Sequence, residues 1–202
     1  MKVSRQAYGP EPDQYFERYL PDETASPGTV LVIHGGFWRP EFDASLGRPL
    51  ATDLAERGYS VANLEYRRPE RDGWREIFPD VLAGIAALGT ANVVAVGHSA
   101  GAQLAAYAAA RVPLAGIVAQ AGLLDLAGAV RDRVGGRSVL KLLGGTPDEV
   151  PERYREADPI VLAPLGIPVV CVHSRADDWV PIAQCEAYVA TGGAAELIEG
   201  PG

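Results

Sequence analysis

Residues 92–111, NVVAVGHSAGAQLAAYAAAR, decide the fold. Val93, Val94 and Val96 make a short β-branched run that suits a strand buried on both faces. It passes without a spacer into an alanine-rich series that suits a helix. At the junction stands Gly97-His98-Ser99-Ala100-Gly101, a G-x-S-x-G pattern in the strand-before, helix-after context that gives the pattern meaning. Such a bend strains the backbone of its central serine, and small residues two before and two after it avoid collisions with the adjoining strand and helix. The helix begins just behind the serine, where free N–H groups favour developing negative charge. Ser99 is therefore expected to be a nucleophile; the plain structural alternative is a tightly packed glycine turn carrying an idle serine.

The pattern extends in both directions. Upstream, the continuous apolar run TVLVIHGG from Thr29 predicts a strand buried on both faces and stopped by Gly35 and Gly36. Residues 14–20 alternate weakly and predict an edge strand. Leu46, Leu50 and Leu54 recur every four residues and predict a shared apolar face on a helix over 44–57, closed by Gly58. Residues 59–67 predict a strand. Ile77, Val81, Ile85 and Leu88 predict a helix over 74–88 with Pro79 tolerated near its start. Downstream, strands are expected at 114–122, 168–174 and 194–200 and a helix at 181–191. Between the first two of these strands, residues 123–157 depart from the alternation, with helical pieces only at 137–143 and 148–155, and are expected to form a small cap insertion. Alternating strands and helices define an α/β fold with a mostly parallel sheet and helices on both faces. The 202 residues are expected to form a single domain.

His34-Gly35-Gly36-Phe37-Trp38 follows the first strong strand. Acyl transfer builds negative charge on an oxygen, and pre-positioned backbone N–H groups stabilise it by about 2.7–4 kcal/mol per donor. Two glycines let the backbone turn such groups toward Ser99, so the amides of Gly36, Phe37 and Ala100 are the expected donors. His34 is expected to hold this loop structurally, and Phe37, Trp38 and His98 to line the substrate pocket. After the strand at 168–174 comes HSRADDWVP, residues 173–181. Asp177 is the expected acid that orients a catalytic base, with Asp178 second and nearer a helix-capping position.

Composition narrows the partners. The chain has 18 basic and 26 acidic residues, a net charge of −8 that opposes nucleic acid or an anionic membrane surface. No apolar stretch nears the about 20 residues that span a bilayer, and the first residues lack a signal-peptide core, so a cytoplasmic location is expected. Cys171 and Cys185 are too few for a disulfide framework and are expected to be buried thiols. Neither HEXXH nor any other ligand spacing calls for a metal, G-x-G-x-x-G is absent, and no cofactor is expected. The partner is a small ester or formamide substrate; the oligomeric state stays open, a homodimer included.

These residues together resemble the α/β-hydrolase superfamily, and within it the small lidless esterases similar to kynurenine formamidase and the carboxylesterase and feruloyl-esterase group. The resemblance runs from about Tyr15 and rests on HGGFW at 34–38, GHSAG at 97–101 and HSRADDWVP at 173–181. It implies that Asp177, four residues after His173, is the acid, with Ser174 standing where the family has glycine. It also implies that Glu65 and Arg67 of the EYR segment support the oxyanion loop. The family places its histidine just after a loop that Gly200-Pro201-Gly202 resembles, yet His34, His98 and His173 all precede Asp177. The expectation is that the chain stops short of that histidine and of a closing helix, and so binds substrate but hydrolyses it slowly. A general small-acyl carboxylesterase is expected first, an arylformamidase second, and a noncatalytic binding protein on the same scaffold third.

Overall fold

The computed structural model describes residues 1–22, 28–69 and 72–200. Eight strands form one sheet: β1 (Lys2–Ala7), β2 (Tyr15–Leu20), β3 (Thr29–Ile33), β4 (Ser60–Leu64), β5 (Val93–His98), β6 (Gly116–Gln120), β7 (Val169–His173) and β8 (Ala195–Glu199). Their spatial order is β1-β2-β4-β3-β5-β6-β7-β8. Pairing is antiparallel at β1–β2 and β2–β4 and parallel from β4 to β8.

The period of two along β3 explains its unbroken apolar run. Leu31 and Ile33 enter the larger core, which contains Ile77 and Val81 of helix α2 (Trp74–Ala87) and most of helix α3 (Ala100–Ala109). Val30 and Val32 face the other way, onto Ala51 and Ala55 of helix α1 (Arg48–Glu56). The small residues of α3 let it lie against the sheet: every residue from Ala100 to Ala108 is buried. Helices cover both faces as expected, but unequally, because α1 stands on one side while α2, α3 and α8 (Ala183–Val189) pack on the other. On the α1 side, Val118, Val170 and Val172 are half-buried and Ile198 is exposed.

Several expectations need correction. Strand β1 leaves no apolar pattern in the sequence, since none of its six side chains is buried; its pairing makes β2 an interior strand instead of an edge. The leucine face at 46, 50 and 54 packs on the sheet only in part: Leu50 and Leu54 are half-buried against the core around Val30 and Val32, beside the fully buried positions. A 3₁₀ turn at Ala44–Gly47 shifts the phase, Leu46 is exposed, and Ala51 and Ala55 are those buried positions. Between β6 and β7 lie four short helices: α4 (Leu126–Arg131), α5 (Ser138–Leu143), α6 (Pro151–Ala157) and α7 (Pro159–Leu162). Two of them, α4 and α7, add to the helical pieces expected there. Asp125 caps α4 by accepting from Gly128 N–H at 2.7 Å, and Asp158 ties the two helices together: its carboxylate accepts the amides of Leu126 at 2.8 Å and Ala127 at 3.0 Å, and it precedes Pro159 at the start of α7. Cys171 and Cys185 are free and buried. Among the described residues no helix is long and apolar enough to cross a membrane.

Candidate active site

Ser99 occupies the bend between β5 and α3 with φ 53° and ψ −115°, a region that side chains rarely enter. The surroundings over-determine it. Its N–H donates to Gln120 O at 2.8 Å, and its carbonyl accepts from Ala102 and Leu123 at 3.1 and 3.2 Å. A β-carbon at Gly101 would sit 2.0 Å from Ile33 O, and one at Gly97 would sit 2.4 Å from Gly101 O, so both flanking positions admit only glycine. The Ser99 hydroxyl makes no hydrogen bond with any described group.

The loop after β3 carries three successive positive φ values: Gly36 at 106°, Phe37 at 52° and Trp38 at 55°. Arg39 N–H closes the turn on Gly36 O at 3.0 Å. Left-handed backbone at two bulky residues in a row is costly. Packing secures it: Phe37 and Trp38 are buried, and Arg39 reaches across to Gly135 O and Ser138 Oγ, both at 3.1 Å. Among the described residues, the amides of Gly36, Phe37 and Ala100 donate to no protein acceptor. Gly35 fixes this loop to the serine bend, since a β-carbon there would lie 2.9 Å from His98 Nδ1.

Beneath the loop sits a buried ionic cluster. Glu65 accepts from His34 Nε2 at 3.3 Å, from Ala44 N–H at 2.7 Å, from Tyr66 N–H at 2.9 Å and from the Arg68 guanidinium. Tyr66 stacks on His34 with ring centroids 4.5 Å apart and donates to His34 O at 2.9 Å. Burial pushes the Glu65 carboxyl up, but the His34 bond, the Arg68 charge and the Ala44 amide outweigh it and hold it below the usual carboxylate range. His34 and Glu65 thus stand where a support was expected. Arg67 does not: it grips Asp80 at 2.7 and 2.8 Å, alongside Gln14, on a different part of the scaffold. The arginine at Glu65 is Arg68, a neighbour outside the EYR segment.

His98 also departs from expectation. It continues the Val94–Val96 alternation, so its exposed ring falls on the α1 side, in a cavity of about 280 Å³ with Val32, Leu46 and Leu50, away from Phe37 and Trp38. The loop bearing Asp177 follows β7. Asp177 Oδ1 accepts the amides of Trp179 at 2.8 Å and Val180 at 2.9 Å in an Asx turn within the loop, while the capping role expected of Asp178 is not filled, since α8 starts from Ile182 with no side-chain cap. Asp177 Oδ2 lies 3.5 Å from His173 Nε2, whose closer partner is Val180 O at 2.7 Å, while His173 Nδ1 meets Cys185 Sγ at 3.1 Å. His173 is thereby fixed under the loop. No histidine ring among the described residues bonds to Ser99.

Phe37 divides two cavities. One, about 410 Å³, has Trp38, Ile77, Arg137, Lys141 and Leu142 among its walls. The other, about 420 Å³, runs between the 132–136 turn and Asp178, Trp179 and Pro181 of the loop after β7. The helical segment after β6 therefore helps to enclose the space around the loop after β3.

A strand order of this kind, with a strained serine at the β5–α3 bend facing a glycine loop, defines the scaffold of an α/β hydrolase. Residues 30–199 match the model of the alpha/beta hydrolase family, and the chain belongs to that family. No curated protein matches its sequence. Esterase B from Lactobacillus rhamnosis, in complex with a tributyrin phosphonate inhibitor, is similar in structure with a TM-score of 0.79 and 19% identity over 98% of this chain and 74% of the other. A truncated carbohydrate esterase from gut microbiota gives a TM-score of 0.81 at 18% identity, covering 97% and 87%. A thioesterase-like protein from Silicibacter sp. tm1040 gives 0.76 at 21% identity, covering 96% and 75%. These likenesses establish the fold.

Proposed function

We propose that the protein is a serine hydrolase that cleaves a small carboxylic ester through an acyl-enzyme. The observation that carries this reading is the strained Ser99 in contact with a loop whose Gly36 and Phe37 amides, with that of Ala100, have no protein acceptor among the described residues. Ser99 Oγ attacks the ester carbonyl and gives its proton to a base, while the three amides donate to the oxyanion. The base then protonates the departing alcohol, and water repeats the sequence to release the acid. Asp177 is the residue that orients and charges the base, on the loop after β7 where two amides fix its Oδ1. The base itself is a histidine bridging Asp177 and Ser99, a place that none of His34, His98 and His173 fills. Structural neighbours named as esterases support the ester reading.

The arylformamidase alternative rests on the resemblance carried by residues 34–38 and uses the same atoms on an N-formyl amide. Comparing kcat/KM for p-nitrophenyl acetate, butyrate and octanoate with that for N-formylkynurenine separates the two. A short-chain ester is expected to lead, with all turnover lost in Ser99→Ala. Preference for the formamide assigns the alternative, turnover that survives in Ser99→Ala takes the chemistry away from Ser99 and removes both, and no turnover of any of these substrates leaves the noncatalytic binding scaffold.

A further inference from the structure

We infer that the cavity of about 410 Å³ beside Phe37 is a subsite for a carboxylate on the substrate, so that the ester cleaved is a small anionic one. The inference rests on the ester-hydrolase reading of Ser99 and names its substrate class. One wall is the oxyanion loop, through Phe37 and Trp38, and Ile77 and Leu142 add apolar surface suited to a short methylene chain. Opposite them stand Arg137 and Lys141, one helical turn apart at the start of α5. The same two side chains line a second, adjoining cavity of about 590 Å³, so they stand between the two spaces.

Charge makes this pair informative. The chain carries 26 acidic residues against 18 basic ones, and three other described arginines in this region are committed. Arg39 is bound to Gly135 and Ser138, Arg153 to Leu143 O, and Arg68 to Glu65. Arg137 and Lys141, by contrast, have no side-chain hydrogen bond or ion pair with any described residue. Glu41 is the only carboxylate in the cavity lining among the described residues, against the cations Arg39, Arg137 and Lys141. A flat guanidinium and a mobile ammonium on one wall match a carboxylate, whereas a neutral ester of the same length would leave both unpaired.

The carboxylate can sit on the acyl half or the alcohol half, and binding to Ser99→Ala protein distinguishes them. Titration calorimetry would compare monoethyl glutarate, anionic on the acyl side, with carboxymethyl butyrate, anionic on the alcohol side, and with neutral diethyl glutarate. One anionic ester is expected to bind at least about tenfold tighter than the neutral one. That advantage is expected to vanish in Arg137→Gln/Lys141→Gln and to shrink as salt rises. Both residues are exposed, so the double variant should fold, and the salt series on the parent protein decides the matter if it does not. Equal affinity for all three esters, no measurable binding of either anion, or a preference indifferent to salt overturns the subsite. Because the titration needs no Ser99 hydroxyl, failure here leaves the nucleophile untouched, while an unreactive Ser99 would remove the hydrolase and not the anion preference.

Discussion

Gly35 lies against Ser99 so closely that a β-carbon on the glycine would sit 3.0 Å from that of the serine and 2.8 Å from His98 O. The end of β3 and the β5–α3 bend are thus packed backbone to backbone, with no side chain between them. This contact sets how far the Gly36 and Phe37 amides stand from Ser99.

Gly35→Ala should therefore damage the chemistry more than the fold. One extra methyl costs about 1–3 kcal/mol of stability by overpacking. Pushing the amides back by about an ångström should slow acylation of Ser99 by about a hundredfold. Rates of covalent labelling by a fluorophosphonate, set beside thermal melts, check this; normal labelling in a destabilised variant would disconnect the contact from reactivity.

Glu65→Gln should destabilise by about 3 kcal/mol, because it strands the buried Arg68 guanidinium without its counter-charge. Urea unfolding measures the loss. Glu65→Gln/Arg68→Met should recover part of it, since removing both charges avoids the orphaned ion.

Asp158 and Glu65 give opposite pH signatures. Burial pushes the Asp158 carboxyl up to about 6, against the pull of the Leu126 and Ala127 amides. The folded state therefore holds a proton that the unfolded chain releases between about pH 4 and 6, and stability falls as pH rises through that window. The full cost, about 3 kcal/mol, applies above about pH 6. Glu65, held low, contributes stability above its ordinary range that is lost as pH falls through its depressed folded value. Unfolding free energies of Asp158→Asn from about pH 4 to 7 should lack the downward slope; an unchanged slope would place the titration elsewhere.

Imidazole should rescue catalysis. Among the described residues no ring bonds to Ser99, so added imidazole can take the place of the base. Hydrolysis of p-nitrophenyl acetate should rise with imidazole and saturate, and both effects should be absent in Ser99→Ala. Asp177→Asn keeps an oxygen for Trp179 and Val180 but loses the charge, so it should fold yet respond weakly. A purely linear response, identical in Ser99→Ala, would mark free imidazole acting in solution.

Much of the architecture is legible in the sequence because it is encoded locally. Val93 to Ala109 states strand, bend and helix in order, and Leu31 and Ile33 sit in an apolar run that only a sheet covered on both faces explains. What escapes such reading depends on contacts distant in sequence. β1 has no buried residue and exists through its pairing with β2. The helices α4 and α7 are short and tied by Asp158, which no propensity reveals. At Glu65 the adjacent Arg67 and Arg68 diverge, one to Asp80 and one to the carboxylate, and spacing cannot rank two neighbours. At His98, adjacency to Ser99 points to the substrate pocket while the strand's period of two points to the α1 side, and the period prevails.

If Ser99 is held out of its bend as a nucleophile facing unbonded amides, its hydroxyl must react when the chain is folded and not otherwise. Intact-mass spectrometry after exposure to a fluorophosphonate, followed by peptide mapping, measures this. One adduct is expected, on the peptide bearing Ser99, absent from Ser99→Ala and from urea-unfolded chain. Folded protein that takes up no adduct, even with saturating imidazole present, would show that Ser99 is no nucleophile.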